Sequence, residues 1–363
     1  MEGKIINNRY AIREKIGEGG MSRVFSAEDL FSHRQVAVKL LKENVASSYV
    51  EDIIRFKKEI EIVSKLDHPN IIKIYESGEY DGTLYLVMEY LSGENLAQAL
   101  SGGRSFPEAA AVRIIRQLTE ALKYVHRHGV IHRDIKPSNI FLTKGNKVKL
   151  LDFGLALIME LAKFEDEERI AGTFGYMSPE ATGILEKKVD ERSDLYSLGV
   201  IFYQLLTGEP PFQGSSINKL LHKQVAFLPP RPSKIKPDIP QVLDDIVMKL
   251  LAKDPDLRYQ SAQGLLYDLK RYESGEKDFP AGERDQKVKI TYQTKLIGRE
   301  AEIAMIKELL EKACAGKGSL CLISGEAGIG KSRLVEELKS YFYEKNVPFF
   351  RGRCLNQTNK IPY

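Results

Sequence analysis

Residues 10 to 41 alternate apolar and polar side chains between glycines, the two-residue period of paired antiparallel strands. Residues 50 to 66 change to helical spacing, with Ile53, Ile54, Ile60, Val63 and Leu66 on one stripe. His68-Pro69-Asn70 stops that helix, and residues 71 to 75 and 84 to 89 read as two more strands around the Asp81-Gly82 turn. This is a small β-rich lobe. From Leu96 helices dominate: a short one at 97–100, a long one from Pro107 to His128 closed by Gly129, and others near 193–207 and 239–252. Residues 195 to 206 are apolar but short and broken by Ser197, Gly199 and Gln204, so they read as a buried core helix. Residues 273–295, rich in Glu, Lys and Asp with Gly275, Pro280 and Gly282, carry neither period and read as a linker. A further helix is expected from Leu296 to about Ala315 and a strand over 319–324.

Composition narrows the class. The chain has 363 residues, 43% hydrophobic and 29% charged, enough to bury a sizeable core and to form more than one domain. Fifty-four basic against 50 acidic residues give a net charge of +4, too balanced to argue for nucleic acid or an anionic membrane. Cys314, Cys321 and Cys354 lack metal-ligand spacing and read as reduced thiols of a cytoplasmic protein. No secretory leader is expected, because Met1 to Asn8 lacks an apolar core, and no run of about eighteen apolar residues occurs.

The chemistry lies in Val130-Ile131-His132-Arg133-Asp134-Ile135-Lys136-Pro137-Ser138-Asn139 and in Asp152-Phe153-Gly154. Asp134 can accept a hydroxyl proton, Lys136 can neutralise a moving phosphoryl group, and Asn139 and Asp152 offer hard oxygens to Mg2+. Either tripeptide alone would mean little. Here they stand in order with Ile16-Gly17-Glu18-Gly19-Gly20-Met21-Ser22-Arg23-Val24, Val36-Ala37-Val38-Lys39, Gly172 to Glu180, and Ser193 to Gly199. From Tyr10 to about Tyr272 the chain resembles the eukaryotic-like serine/threonine protein kinases of bacteria.

The resemblance implies an α+β bilobal protein-kinase fold: a tail over 1–9, an N-lobe over about 10–91 and a C-lobe over about 92–272. It implies ATP and Mg2+ as cofactors and proteins with Ser/Thr acceptors as partners. Gly17 and Gly19 would let the backbone close over the phosphates, with Ser22 where a third glycine is usual. Lys39 would reach the α- and β-phosphates, held by Glu59 rather than Glu61, which points elsewhere by about 200° of helical rotation. Asp134 and Lys136 would be catalytic, and Asn139 and Asp152 the metal ligands. Val24, Ala37 and Phe141 would line the adenine slot, with Met88 behind it and Glu89 and Leu91 offering backbone groups, and Ile16 would also bind the nucleotide. Lys136, two residues after the aspartate, resembles the serine/threonine branch.

Other matched positions have structural roles in the family. Glu180 and Arg258 would form a buried ion pair, and Asp194 would accept hydrogen bonds from the catalytic-loop backbone. Val63, Ile74, His132 and Phe153 match a stacked column in which His132 packs rather than shuttles protons. Between Phe153 and Thr173 there is no Ser, Thr or Tyr, so the phosphate with which Arg133 commonly pairs has no acceptor there. Glu165, Asp166, Glu167 and Glu168 either stand in for it or form a solvated charge run.

A second motif, Gly325-Glu326-Ala327-Gly328-Ile329-Gly330-Lys331-Ser332, is a phosphate-binding loop between an expected strand and helix. Gly325 and Gly330 frame it, Lys331 would reach the β- and γ-phosphates, and Ser332 would ligate Mg2+. Residues 296–363 resemble the start of the α/β P-loop ATPase modules that follow kinases in large bacterial signalling proteins. Only one helix and a strand over 347–354 can follow the loop, so a truncated module without hydrolysis is expected. A pseudokinase scaffold and a small-molecule phosphotransferase are the competing readings, and nothing in the pattern indicates an oligomeric state.

Overall fold

The computed structural model describes residues 1–19, 22–41, 63–152, 174–183, 187–214, 216–285, 298–314, 316–318, 320–325, 331, 334–335 and 338. It divides into two units, Met1–Lys289 and Ile290–Tyr363.

The first unit opens with β1 (Ile5–Ile6), β2 (Tyr10–Glu18), β3 (Ser22–Asp29), β4 (Arg34–Leu41), β5 (Ile74–Tyr80) and β6 (Thr83–Glu89). They form one antiparallel sheet in the order β1-β2-β3-β4-β6-β5. The pleat sorts its side chains. Ile12, Phe25, Val36, Val38, Leu40 and Val87 join a small core on one face. In register on the opposite face lie Val24, Lys39 and Leu86, then Ala37 and Met88. The Asp81-Gly82 turn has positive φ at both residues, +48° and +72°, as a tight two-residue hairpin requires.

The helical lobe begins with β7 (Gly93–Asn95) and α1 (Leu96–Ala99), where the Asn95 and Gln98 side chains form a capping box. Then follow α2 (Glu108–Arg127), β8 (Ile140–Thr143), β9 (Val148–Leu150), α3 (Glu191–Thr207), α4 (Ile217–Ala226), α5 (Pro232–Ile235), α6 (Gln241–Leu250) and α7 (Ala262–Glu273). Strands β7, β8 and β9 form a second small sheet. Helix α3 is the central strut, apolar nearly all round and buried along most of its length. Gly199 brings it against α6: a Cβ there would lie 2.6 Å from the Leu250 Cβ.

Several elements differ from the sequence expectation. The helix expected over 50–66 lies largely outside the described residues. Ile71 makes an isolated parallel bridge to Leu150 instead of opening a strand, and β5 starts at Ile74. Helices α4 and α7 were not anticipated. Residues 276–285, read as linker, fold back on the C-lobe. Phe279 is buried in the main core, Arg271 stacks on it at 4.2 Å, and Arg271 also pairs with Glu283 at 2.7 Å and with Glu276. Asp285 accepts the Gln260 N–H and the Ser261 hydroxyl at the start of α7, in space that a side chain at Gly264 would fill. Glu276, Glu283 and Asp285, part of the charge that suggested a solvated linker, are thus engaged within the fold.

In the second unit, α8 (Glu300–Cys314) matches the expected helix. The strand expected over 319–324 is not formed among the described residues, where Leu320 and Leu322 are almost fully exposed. A strand of that kind needs neighbours to bond with, and the described residues of this unit supply none. Among the described residues no helix is long and apolar enough to cross a membrane.

Candidate active site

Between α2 and β8 the chain runs through residues 130–139, a loop whose shape is set by Asp194 on α3. One Asp194 oxygen accepts the His132 N–H and the other the Arg133 N–H, both at 2.8 Å, and His126 Nε2 lies 2.8 Å from the carboxylate. These bonds hold Arg133 in the left-handed region at φ +64°. Burial pushes the Asp194 carboxyl up, but the hydrogen bonds from His126 and from the His132 N–H outweigh it and hold it below the usual carboxylate range. The Asp134 N–H donates to His132 Nδ1 at 3.3 Å, which leaves the ring proton on Nε2, 2.8 Å from the Leu151 carbonyl. His132 is therefore a brace between two loops.

Asp134 is 6% exposed, with one oxygen 3.0 Å from Lys136 Nζ and the other accepting from Asn139 Nδ2 at 2.8 Å. Asn139 Nδ2 also donates to the Asp134 carbonyl at 2.9 Å, so both amide hydrogens are committed and the amide oxygen is left as the outward acceptor. The Leu151 N–H donates to the Asn139 carbonyl at 2.8 Å, which fixes the next residue, Asp152, against the loop. Asp152 has φ +46° and accepts from Lys39 Nζ at 2.7 Å across the gap between the lobes. Burial raises the Asp152 carboxyl, but the Lys39 charge and hydrogen bond, with Lys136, hold it below its ordinary value.

Lys39, Asp134, Lys136, Asn139 and Asp152 are thus brought together from three separate stretches of chain. Glu59, the expected partner of Lys39, lies outside the described residues, as do Phe153 and the 165–168 acids. Above the cluster, Ala37 is buried, Val24, Met88, Leu91 and Phe141 are half-buried, and Ile16 is exposed. Gly17 pairs with Val24, and the Gly19 N–H closes the hairpin on the Ser22 carbonyl at 2.8 Å. A Cβ at Gly17 or Gly19 would meet nothing nearer than 3.7 Å among the described residues, so none of these demands glycine there.

Sequence reading missed the support of Glu89. Its N–H donates to the Lys73 carbonyl, and its carboxylate accepts the Lys73 N–H at 2.8 Å and pairs with Lys149 at 2.5 Å. Lys149 stands opposite Phe141 in the β8–β9 register. No local pattern announces that pairing. The expected Glu180–Arg258 pair is present and bidentate, and Gln224 on α4 donates to the Phe174 carbonyl at 2.7 Å, anchoring residues 174–183 to the C-lobe. In the second unit Lys331 Nζ donates to the Gly325 carbonyl at 2.8 Å; Gly330 and Ser332 lie outside the described residues.

The protein kinase domain model matches residues 10–268, and the AAA ATPase domain model matches residues 295–363. The chain belongs to the protein kinase family, whose members use ATP. Its relatives include the serine/threonine-protein kinase PrkC of Bacillus subtilis, 38% identical over 269 residues, 74% of this chain and 41% of that protein. The serine/threonine-protein kinase PknB of Mycolicibacterium smegmatis is 40% identical over 278 residues, 75% of this chain and 44% of that protein. The chain thus spans well under half the length of these curated relatives. The crystal structure of the Mycobacterium tuberculosis PknI kinase domain superposes with a TM-score of 0.60 at 26% identity, over 75% of this chain and 98% of that one.

Proposed function

We propose that this chain is an ATP-dependent serine/threonine protein kinase of the cytoplasm, part of a signalling protein with an appended ATPase module. The observation that carries the reading is the seating of Asp134 between Lys136 and Asn139, with Asp152 alongside under Lys39. Asp134 orients the acceptor hydroxyl and takes its proton late, as the hydroxyl oxygen bonds to the γ-phosphorus and the bond to the β,γ-bridging oxygen breaks. Lys136 balances charge on the transferring group, and Lys39 holds the α- and β-phosphates. Ser/Thr acceptors follow from the lysine two residues past the aspartate.

The donor set fits Mg2+: an amide oxygen of Asn139 and a carboxylate of Asp152 are hard ligands. Among the described residues no group of three His, Cys, Asp or Glu could hold a metal alone, so phosphates and water would complete the shell. Bound there, the ion would neutralise phosphate charge. Gly17 and Gly19 support an ATP site because no described residue fills the space they leave beside the Gly17–Val24 pair. The half-buried Val24, Met88, Leu91 and Phe141, with Ile16 and Ala37, suit an adenine ring. The Glu89 N–H is already taken by Lys73, so Glu89 would offer its carbonyl. Gly325, Gly330, Lys331 and Ser332 are proposed as a second phosphate loop.

Incubation with Mg2+, labelled ATP and a generic basic protein tests the reading. Label should enter serine and threonine and vanish in Asp152→Ala; label that persists in that variant overturns it, and ATP binding without transfer favours a pseudokinase scaffold.

A further inference from the structure

One turn of α3 holds two loops together. Asp194 takes the His132 and Arg133 N–H groups just before Asp134, while the Ser193 hydroxyl donates to Glu180 and the Ser197 hydroxyl to the Tyr176 carbonyl, both at 2.7 Å. The Tyr176 hydroxyl donates to Gln204 at 2.6 Å, farther along the same helix. Residues 176–180 are therefore set against the Asp134 loop by a single element. Phe174, where the described part of this segment begins, is held from elsewhere: Gln224 Nε2 on α4 donates to its carbonyl at 2.7 Å.

Stability alone does not explain a glutamine at this position. Gln224 is 0% exposed, and its Oε1 has no hydrogen-bond partner among the described residues. A buried amide oxygen left unpaired costs stability that an apolar side chain of the same length would not. Nor is the bond needed to close the turn, because the Phe174 carbonyl already accepts the Met177 N–H at 3.1 Å. The Gln224 bond adds position rather than closure: it fixes where the 174–177 turn lies. Phe174, Tyr176 and Met177 are half-buried, so the turn keeps part of three large side chains at the surface.

We propose that Gln224 is a positioning residue for the protein acceptor: by fixing the Phe174 carbonyl it holds the 174–177 turn where the acceptor chain packs as its hydroxyl reaches Asp134. This rests on the kinase reading. The Gln224 amide bonds to Phe174 and not to the Lys39–Asp152 cluster, so it acts on acceptor capture and not on ATP.

The test uses Gln224→Met, which keeps the length of the side chain, breaks the bond to Phe174 and removes the unpaired oxygen. In the full chain with Mg2+, ATP and a generic basic protein, the KM for the acceptor should rise about fivefold, the scale of one lost hydrogen bond, while kcat at saturating acceptor and the KM for ATP stay within about twofold. Thermal melts should show no loss of stability. If the variant melts at a lower temperature, Tyr176→Phe, which frees the same turn from Gln204 without adding volume, takes its place and should give the same split between the two KM values. An unchanged acceptor KM, or acceptor and ATP constants that rise together, overturns the positioning role and leaves the kinase reading standing. Failure of the wild-type chain to phosphorylate the acceptor overturns the kinase reading, and the positioning role with it.

Discussion

Arg258 grips Glu180 with both arms of its guanidinium, Nη1 to Oε1 at 2.6 Å and Nη2 to Oε2 at 2.7 Å, and both side chains are fully buried. The pair joins residues 179–182 to the turn after α6. The Ser193 hydroxyl and the Ala252 and Lys253 carbonyls satisfy the remaining polar atoms. Arg258→Ala would leave a buried, unpaired carboxylate, and a loss of about 3–5 kcal/mol is expected in urea unfolding. A loss below about 1 kcal/mol would contradict the pairing.

Acid should act through the same pair. For Glu180, burial raises the carboxyl, but the Arg258 hydrogen bonds and charge bring it below its ordinary value, and Asp194 is shifted the same way. A folded-state value below the unfolded one stabilises above the unfolded value and is lost as pH falls through the folded one. Melting temperature should therefore decline through the carboxylate range, and Glu180→Gln should flatten that decline. A profile unchanged by Glu180→Gln would refute the assignment.

Asp134→Asn should lower the transfer rate by about 10²- to 10⁴-fold, because the amide cannot take the acceptor proton. ATP affinity should hold, since the Asp134 contacts run to Lys136 and Asn139 within its own loop. Comparing kcat with nucleotide binding separates the two effects. A variant that transfers normally would remove Asp134 from catalysis.

Gly17→Ala and Gly19→Ala should raise the KM for ATP while changing stability by less than about 1 kcal/mol, since the added methyl meets only ordinary contacts in the protein. Thermal melts and initial rates check both halves. Unfolding instead of weakened binding would mean that the glycines serve the fold.

Phe279→Ala should destabilise the first unit by about 3 kcal/mol, the scale for a buried phenylalanine. That loss would be large for a residue in a solvated linker. Urea unfolding of the full chain measures it, and an unchanged midpoint would return residues 276–285 to linker status.

Much of the candidate site was legible because its residues stand close together in short motifs. Asp134, Lys136 and Asn139 lie within six positions, and one loop conformation sets their geometry. The β-lobe was legible from its alternation, and the Asp81-Gly82 turn from its residue types. Long-range partners were not. Lys149 reaches Glu89 across 60 positions, and nothing near either residue in sequence signals the pair. Helix α7 and the strap 276–285 escaped for a related reason, since Arg271 stabilises that strap through partners its composition disguises as solvated charge.

By itself, then, the sequence determined which groups the candidate site holds: local motifs specify them and how the chain must turn to present them. Tertiary structure alone decided which groups meet. Lys39 rests on Asp152 because the lobes bring β4 to the end of β9, a closeness that depends on the packing of the whole unit and leaves no periodic trace.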